Sequence, residues 1–210
     1  MTGVQTCALP IYGGSGAATV AAFGGSVTIN GGSGTGVFQG GPDGNNRIQS
    51  GTFGRTTMIG GGDGDMLIGN ASGGDVFQAG LGAETMNAGG SRSMNHFYAG
   101  AGSNTIIMGN AGDQVLAGTG SATITGGYGG DLIAIAKGAR ADLVTRNFTA
   151  VAQPGVWATD YISLLGFGPG EAARALAAAT TTGGSELLML SDGTRIQFLG
   201  TTGLTISNFL

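Results

Sequence analysis

From Gly13 to Ala134 an apolar side chain returns about every nine residues: Val20, Ile29, Phe38, Ile48, Met58, Leu67, Phe77, Met86, Phe97, Ile106, Val115, Ile124 and Ile133. Each is the eighth position of a nine-residue unit, and there are thirteen such units. Period-two alternation over positions seven to nine predicts a short strand with its middle side chain inward and its neighbours outward. Position four is Gly in ten units and position two in nine, which signals tight turns with positive φ or close approach of neighbouring backbones. One strand and one turn make half a coil, so two units complete a turn and thirteen give about six and a half. The pattern predicts an all-β fold, a right-handed parallel β-roll or β-solenoid. Its core is a thin inward stack, so each coil depends on its neighbours.

The cleanest stretch, Ala99 to Ala134, runs through four units without a gap. Earlier units need single insertions at Gly40, Ser50 and Gly69, and the unit from Ala88 to Tyr98 carries two extra residues. Insertions of this kind map to loops in a solenoid. After Ala134 the period stops and glycine thins out. Pro169 to Ala179 reads as an alanine-rich helix with Glu171 in its first turn, where a carboxylate suits the helix dipole. Glu186–Leu190 and Thr194–Phe198 read as a hairpin across Ser191-Asp192-Gly193, and Leu204 to Phe209 as a last strand. An open solenoid end exposes edge strands and core, so this segment is expected to act as a cap. The expected organisation is residues 13–136 as the roll and 137–210 as a small α+β capping module.

Residues 1–11, MTGVQTCALPI, resemble the translation of a sequencing-library adapter, and Tyr12 straddles the junction. Residues 1–12 are therefore set apart from the fold. Cys7, the only cysteine, goes with them, which removes disulfides, Cys-ligated zinc and a catalytic thiol. On this reading the natural N-terminus lies upstream, and a catalytic domain there would be unseen.

Composition narrows the picture further. There are 46 Gly in 210 residues, without a collagen period, and charged residues are only 10% against 41% apolar, the reverse of a disordered chain. Net charge is −4 and the basic residues are scattered, which argues against a nucleic-acid partner. No apolar run reaches the length of a membrane span. No glycine run is followed by GK[ST], no GxGxxG opens a helix, and no GxSxG elbow exists. His96, the only histidine, sits at position seven beside Phe97 with no triad or zinc partner in the pattern. No catalytic residue is assigned, and the expectation is a non-enzymatic chain. Outward Thr19, Thr57, Thr85, Thr105, Thr123 and Thr125 are too interrupted to form an ice-binding row.

Position six carries Asp, Asn or Glu in eight of the units. Every second unit shares a side, so Asp75, Asn95, Asp113 and Asp131 stack on one side and Asn46, Asp65, Glu84 and Asn104 on the other. The first three units place Ala18, Val27 and Gly36 there. Asp and Asn also suit tight turns by bonding their own backbone, and Asp43 and Asp63, off register, read as turn residues of that kind.

The last unit carries Gly126, Gly127, Gly129, Asp131 and Ile133, every defined position of G-G-x-G-x-D-x-U-x. It resembles the RTX family of calcium-binding, hemolysin-type repeats; the other units match less completely. The resemblance implies Ca²⁺ held between stacked turns by position-six carboxylates and glycine carbonyls, consistent with the six to eight hard oxygens calcium takes. Carried onto this chain, the implied ligands are Asp131 with Asp113, then Asp75 and Asn95, and less strongly Asp65 with Glu84. Asp160 to Leu210 likewise resembles the C-terminal modules of bacterial proteins exported by type I secretion, on Asp160-Tyr-Ile-Ser-Leu, the Ala helix, Leu190-Ser-Asp-Gly-Thr-Arg-Ile-Gln-Phe198 and Ser207-Asn-Phe-Leu210. The function implied is a secreted, extracellular or surface module that folds on external calcium, with a type I exporter as partner. The alternatives are a calcium-independent structural solenoid, such as an adhesin or surface-layer stalk, and the non-catalytic tail of a secreted protease or lipase.

Overall fold

The computed structural model describes residues 10–152 and 158–210; Cys7 lies outside them. In chain order the strands are β1 (Ile11–Tyr12), β2 (Ala18–Ala21), β3 (Thr28–Asn30), β4 (Gly36–Gln39), β5 (Arg47–Gln49), β6 (Thr56–Ile59) and β7 (Met66–Ile68). Next come β8 (Val76–Gln78), β9 (Thr85–Asn87), β10 (His96–Tyr98), β11 (Ser103–Ile107), β12 (Gln114–Leu116) and β13 (Ser121–Thr125). The remainder are β14 (Leu132–Ala136), β15 (Asp142–Arg146), β16 (Tyr161–Leu165), β17 (Thr180–Thr182), β18 (Ser185–Met189) and β19 (Arg195–Leu199). A helix α1 (Glu171–Ala177) and a 3-10 turn (Ile206–Asn208) complete the set.

Odd and even strands separate into two sheets, as alternating half-coils require. One sheet runs β1-β3-β5-β7-β9-β11-β13-β15-β19-β18-β17 and the other β16-β14-β12-β10-β8-β6-β4-β2. Pairing is parallel from β1 to β15 and on to β19, with only β17, β18 and β19 antiparallel to one another. The chain is thus a parallel β-solenoid of about seven turns. Register follows the repeat: Phe77 pairs with Phe97, Val115 with Ile133, and Ile106 with Ile124. The eighth-position side chains form the predicted stack, buried from Ile29 to Ile133, and Phe77 and Phe97 stack with ring centroids 4.6 Å apart.

The turn glycines work mainly by close approach. A Cβ on Gly127 would run into the carbonyl oxygen of Gly109, and one on Gly118 into that of Gly100. Positive φ, the other reason for glycine, applies at Gly25 and Gly44.

Parallel stacking outlasts the nine-residue period. β15 continues one sheet beyond β13, and β16 continues the other beyond β14, although the repeat in sequence ends at Ala134. The hairpin forms as expected from β18 and β19, with Asp192 Oδ1 accepting the Thr194 amide at 2.9 Å. The helix is shorter than its alanine-rich segment, and Glu171 pairs with Arg174 and accepts the Ser191 amide at 2.7 Å. The expected last strand is instead a 3-10 turn followed by a single bridge from Phe209 to Ile162. That short turn suffices because Leu204 and Phe209 need only reach the open end of the core. Ile11 and Tyr12 pair with β3 at the sheet edge, and both are exposed.

Candidate functional site

Position six faces the interior. Counting back two from the buried eighth position keeps the same side of the strand, so Asp65, Asp75, Glu84, Asn95, Asp113 and Asp131 lie inside the solenoid, none more than 3% exposed. Burial of this kind demands hydrogen-bond partners. The partners are backbone amides, in a repeated two-point arrangement.

One carboxylate oxygen reaches along the axis to the preceding coil. Asp65 Oδ1 accepts the Asn46 amide at 2.7 Å, Asp75 Oδ1 that of Thr56 at 2.8 Å, and Asp113 Oδ1 that of Asn95 at 2.7 Å. Asp131 Oδ1 accepts the Asp113 amide at 2.8 Å, and the Asn95 carbonyl oxygen does the same for Asp75 at 2.9 Å. The second oxygen folds back to its own turn. Asp65 accepts Gly61 at 2.6 Å, Asp113 accepts Gly109 at 2.5 Å, Asp131 accepts Gly127 at 3.0 Å and Asp75 accepts Asn70 at 3.0 Å. Each Asp therefore clasps its own turn and ties it to the turn before. A hydrogen bond to a charged group contributes roughly 1.5–3 kcal/mol, and an orphaned buried amide costs about as much.

The asparagines add a third link. Asn46 Nδ2 donates to Asp65 Oδ1 at 2.9 Å, and Asn95 Nδ2 to Asp113 Oδ1 at 3.0 Å. Stacked sites stand one strand spacing apart, roughly 4.8 Å, so an amide between two carboxylates separates like charges that would otherwise meet.

Asp160 extends the ladder beyond the repeats. Its Oδ1 accepts the Asp131 amide at 2.7 Å and its Oδ2 the Thr149 amide at 2.8 Å. By sequence Asp160 belongs to the capping module. The signal that could have found it is its place one residue before β16, the position Asp131 holds before β14. Asp113, Asp131 and Asp160 consequently stack with no amide side chain between them. Burial pushes Asp131 up to about 7, with the charges of Asp160 and Asp113 adding to the rise. Burial also lifts Asp160 to about 6, and raises Asp113 and Asp75. A cavity of about 10 Å³, space for about one water, borders Asp131 and Asp160.

On the other side Glu84 breaks the pattern. Its longer side chain bends back so that Oε1 accepts the Gly80 amide at 2.7 Å, while Oε2 is buried without a partner among the described residues. Gly60 makes room for it: a Cβ there would collide with the Glu84 carboxylate. Burial lifts Glu84 to about 7, with the charges of Asp65 and Asp63 contributing. The off-register pair does not bond its own turns: Asp43 accepts the Gly25 amide at 2.6 Å and Asp63 that of Ala83 at 2.8 Å, each on a neighbouring coil.

The fit to calcium can be judged on these contacts. Among the described residues no three His, Cys, Asp or Glu side chains converge as an ion site. Both oxygens of Asp65, Asp75, Asp113 and Asp131 are directed at amides, and the Gly109 and Gly100 carbonyls sit against the next coil's glycine. An ion that takes six to eight oxygens would have to displace those contacts. As arranged, the four Asp carboxylates are engaged by backbone amides, and Glu84 Oε2 alone among the carboxylate oxygens of this set has no partner among the described residues.

No family model matches the chain, and no curated protein matches it. Among the described residues, no helix is long and apolar enough to cross a membrane.

Proposed function

We propose that this chain is a structural β-solenoid, a rod-like and non-catalytic segment of an exported bacterial protein, whose coils close on their own amides without calcium. The observation that carries the reading is the two-point clasp: each position-six Asp spends one oxygen on its own turn and the other on the preceding coil. A carboxylate so engaged does for the turn what a bound cation would otherwise do. The mild acidity, and the absence of cysteine after residue 12, suit an extracellular or surface location. The resemblance of Asp160–Leu210 to type I export modules makes a type I exporter the expected partner in transit.

A second reading keeps the calcium role of the RTX-like resemblance. Asp113, Asp131 and Asp160 form a run of like charges that no amide interrupts, and such a run gains from a counter-ion as well as from protons. The two readings separate in one experiment. Far-UV circular dichroism of the full chain is recorded in EDTA, then during a calcium titration to about 10 mM, above ordinary extracellular affinities. A β spectrum in EDTA that calcium leaves unchanged supports the structural rod. A coil spectrum in EDTA that calcium converts to β, and that Asp113→Ala/Asp131→Ala abolishes, replaces it with the calcium-folded module.

A further inference from the structure

The two ends of the solenoid are finished differently. At the C-terminal end Phe209 bridges to Ile162, and the hairpin extends the other sheet through β19. At the N-terminal end β1 and β2 are the last strands of their sheets. Ala18 and Ala22 donate to the carbonyls of Thr35 and Gln39, so the alternation of a parallel ladder turns the Thr19 and Ala21 amides away from β4. Val20 is partly buried, whereas Phe38, paired with it one coil on, is 2% exposed.

The turn glycines define what this end is shaped to receive. At positions two and four a glycine faces the preceding coil and sits against a carbonyl there. A Cβ on Gly32 would collide with the Gly14 carbonyl, one on Gly34 with that of Gly16, one on Gly54 with that of Gly34, and one on Gly73 with that of Gly54. Along the other edge Gly102 meets the Gly82 carbonyl and Gly120 that of Gly102. Gly14 and Gly16 hold the same two positions in the first unit. Neither has a left-handed φ, and beyond its chain neighbours no described residue lies within 4 Å of a Cβ built on either. Neither reason for glycine that operates in the later coils applies to them among the described residues.

We infer that the N-terminal end is a docking surface for a further glycine-rich coil, parallel to the first, whose turn carbonyls rest on Gly14 and Gly16. Such a coil pairs with β1 and β2, takes up the Thr19 and Ala21 amides and completes the burial of Val20. The glycines select this occupant by direction. Two N-terminal ends brought together would set glycine against glycine with no carbonyl between them. The C-terminal end of a second copy presents β16 with Phe209 and Leu210 bonded to Ile162, and no glycine turn. A partner strand that used only the sheet edges would place nothing on Gly14 or Gly16. The occupant is therefore a preceding stretch of the same repeat, and this chain is the capped end of a longer rod. The fit depends on the coil geometry and not on whether amides or calcium close the turns.

The test inserts a second copy of Gly13–Asn30, two units without a gap, between Tyr12 and Gly13 of the full chain. Amide hydrogen exchange and urea unfolding are read in EDTA and in calcium. If the parent folds only in calcium, the calcium arm is the one read, so failure of the structural rod leaves this test intact. In the extended chain the Thr19 and Ala21 amides of the original coil should exchange at least about tenfold more slowly than in the parent. Glycine substitution supplies the second readout. In the parent, Gly16→Ala should hold or raise the urea midpoint, whereas Gly34→Ala, whose methyl meets the Gly16 carbonyl, should lower it. In the extended chain Gly16→Ala, made in the original coil, should lower the midpoint as Gly34→Ala does. The inference is overturned if Thr19 and Ala21 exchange in the extended chain as they do in the parent, or if Gly16→Ala remains silent there. It is equally overturned if Gly16→Ala already matches Gly34→Ala in the parent, since that glycine would then serve its own coil.

Discussion

From Thr56 to Asp113 every buried carboxylate of the ladder has a hydroxyl or amide side chain beside it along the axis; Asp131, between Asp113 and Asp160, has only other carboxylates. The backbone clasps are alike in both stretches, and burial pushes Asp131 and Asp160 to about 7 and about 6, with the charges of Asp160 and Asp113 adding to the rise at Asp131. Asn95 is therefore not a weakened Asp. It supplies the same carbonyl contact to the preceding coil and adds a donor to Asp113, so the amide screens one charge from the next. Burial raises the carboxylates of the core, and a neighbouring carboxylate adds to that rise where no amide stands between, as at Asp131.

The largest expected effect is on pH dependence. A raised pKa means that the folded chain keeps a proton the unfolded chain has released. The stability contributed by Asp131, Asp160 and Glu84 is complete below the ordinary carboxylate value and is lost as pH rises through about 6 to 7. Glu171, held near 2 by its Arg174 hydrogen bond, acts oppositely, but its window lies below about pH 4.5. Urea unfolding should therefore show the solenoid more stable at pH 5 than at pH 8, by roughly 3–5 kcal/mol after allowance for coupling. A flat or rising profile between those values would show that the unrelieved run is not protonated.

Asp131→Ala should come next. It orphans the Asp113 and Gly127 amides and is expected to cost about 2–4 kcal/mol at pH 5, read from the shift in urea midpoint. Asp131→Asn keeps the Asp113 contact and removes the charge, so it should cost less than half as much and flatten the pH slope. Smallest is Asn95→Asp, which turns the relieved stretch into an unrelieved one. About 1–2 kcal/mol should be lost at pH 8 and largely recovered at pH 5, bringing the two stretches into line.

The nine-residue hydrophobic period was enough to establish the parallel solenoid, the inward stack and which position-six residues share a side, because a coil of fixed length can place its neighbours in only one way. The hairpin at Asp192-Gly193 was legible for the same reason, a local turn preference acting on two short apolar runs. The inward direction of position six is also implicit in the alternation, since six and eight lie on one side of a strand. Three features were decided by tertiary structure alone. Both carboxylate oxygens turn to backbone amides, a choice that depends on where the neighbouring coil's N–H groups stand. Asp160 joins the ladder across a connection from Ala134 that has no repeat length to betray it. The solenoid continues through β15, β16 and β19 because an open end leaves edge hydrogen bonds and apolar core that any strand of the right reach can satisfy, with or without the repeat.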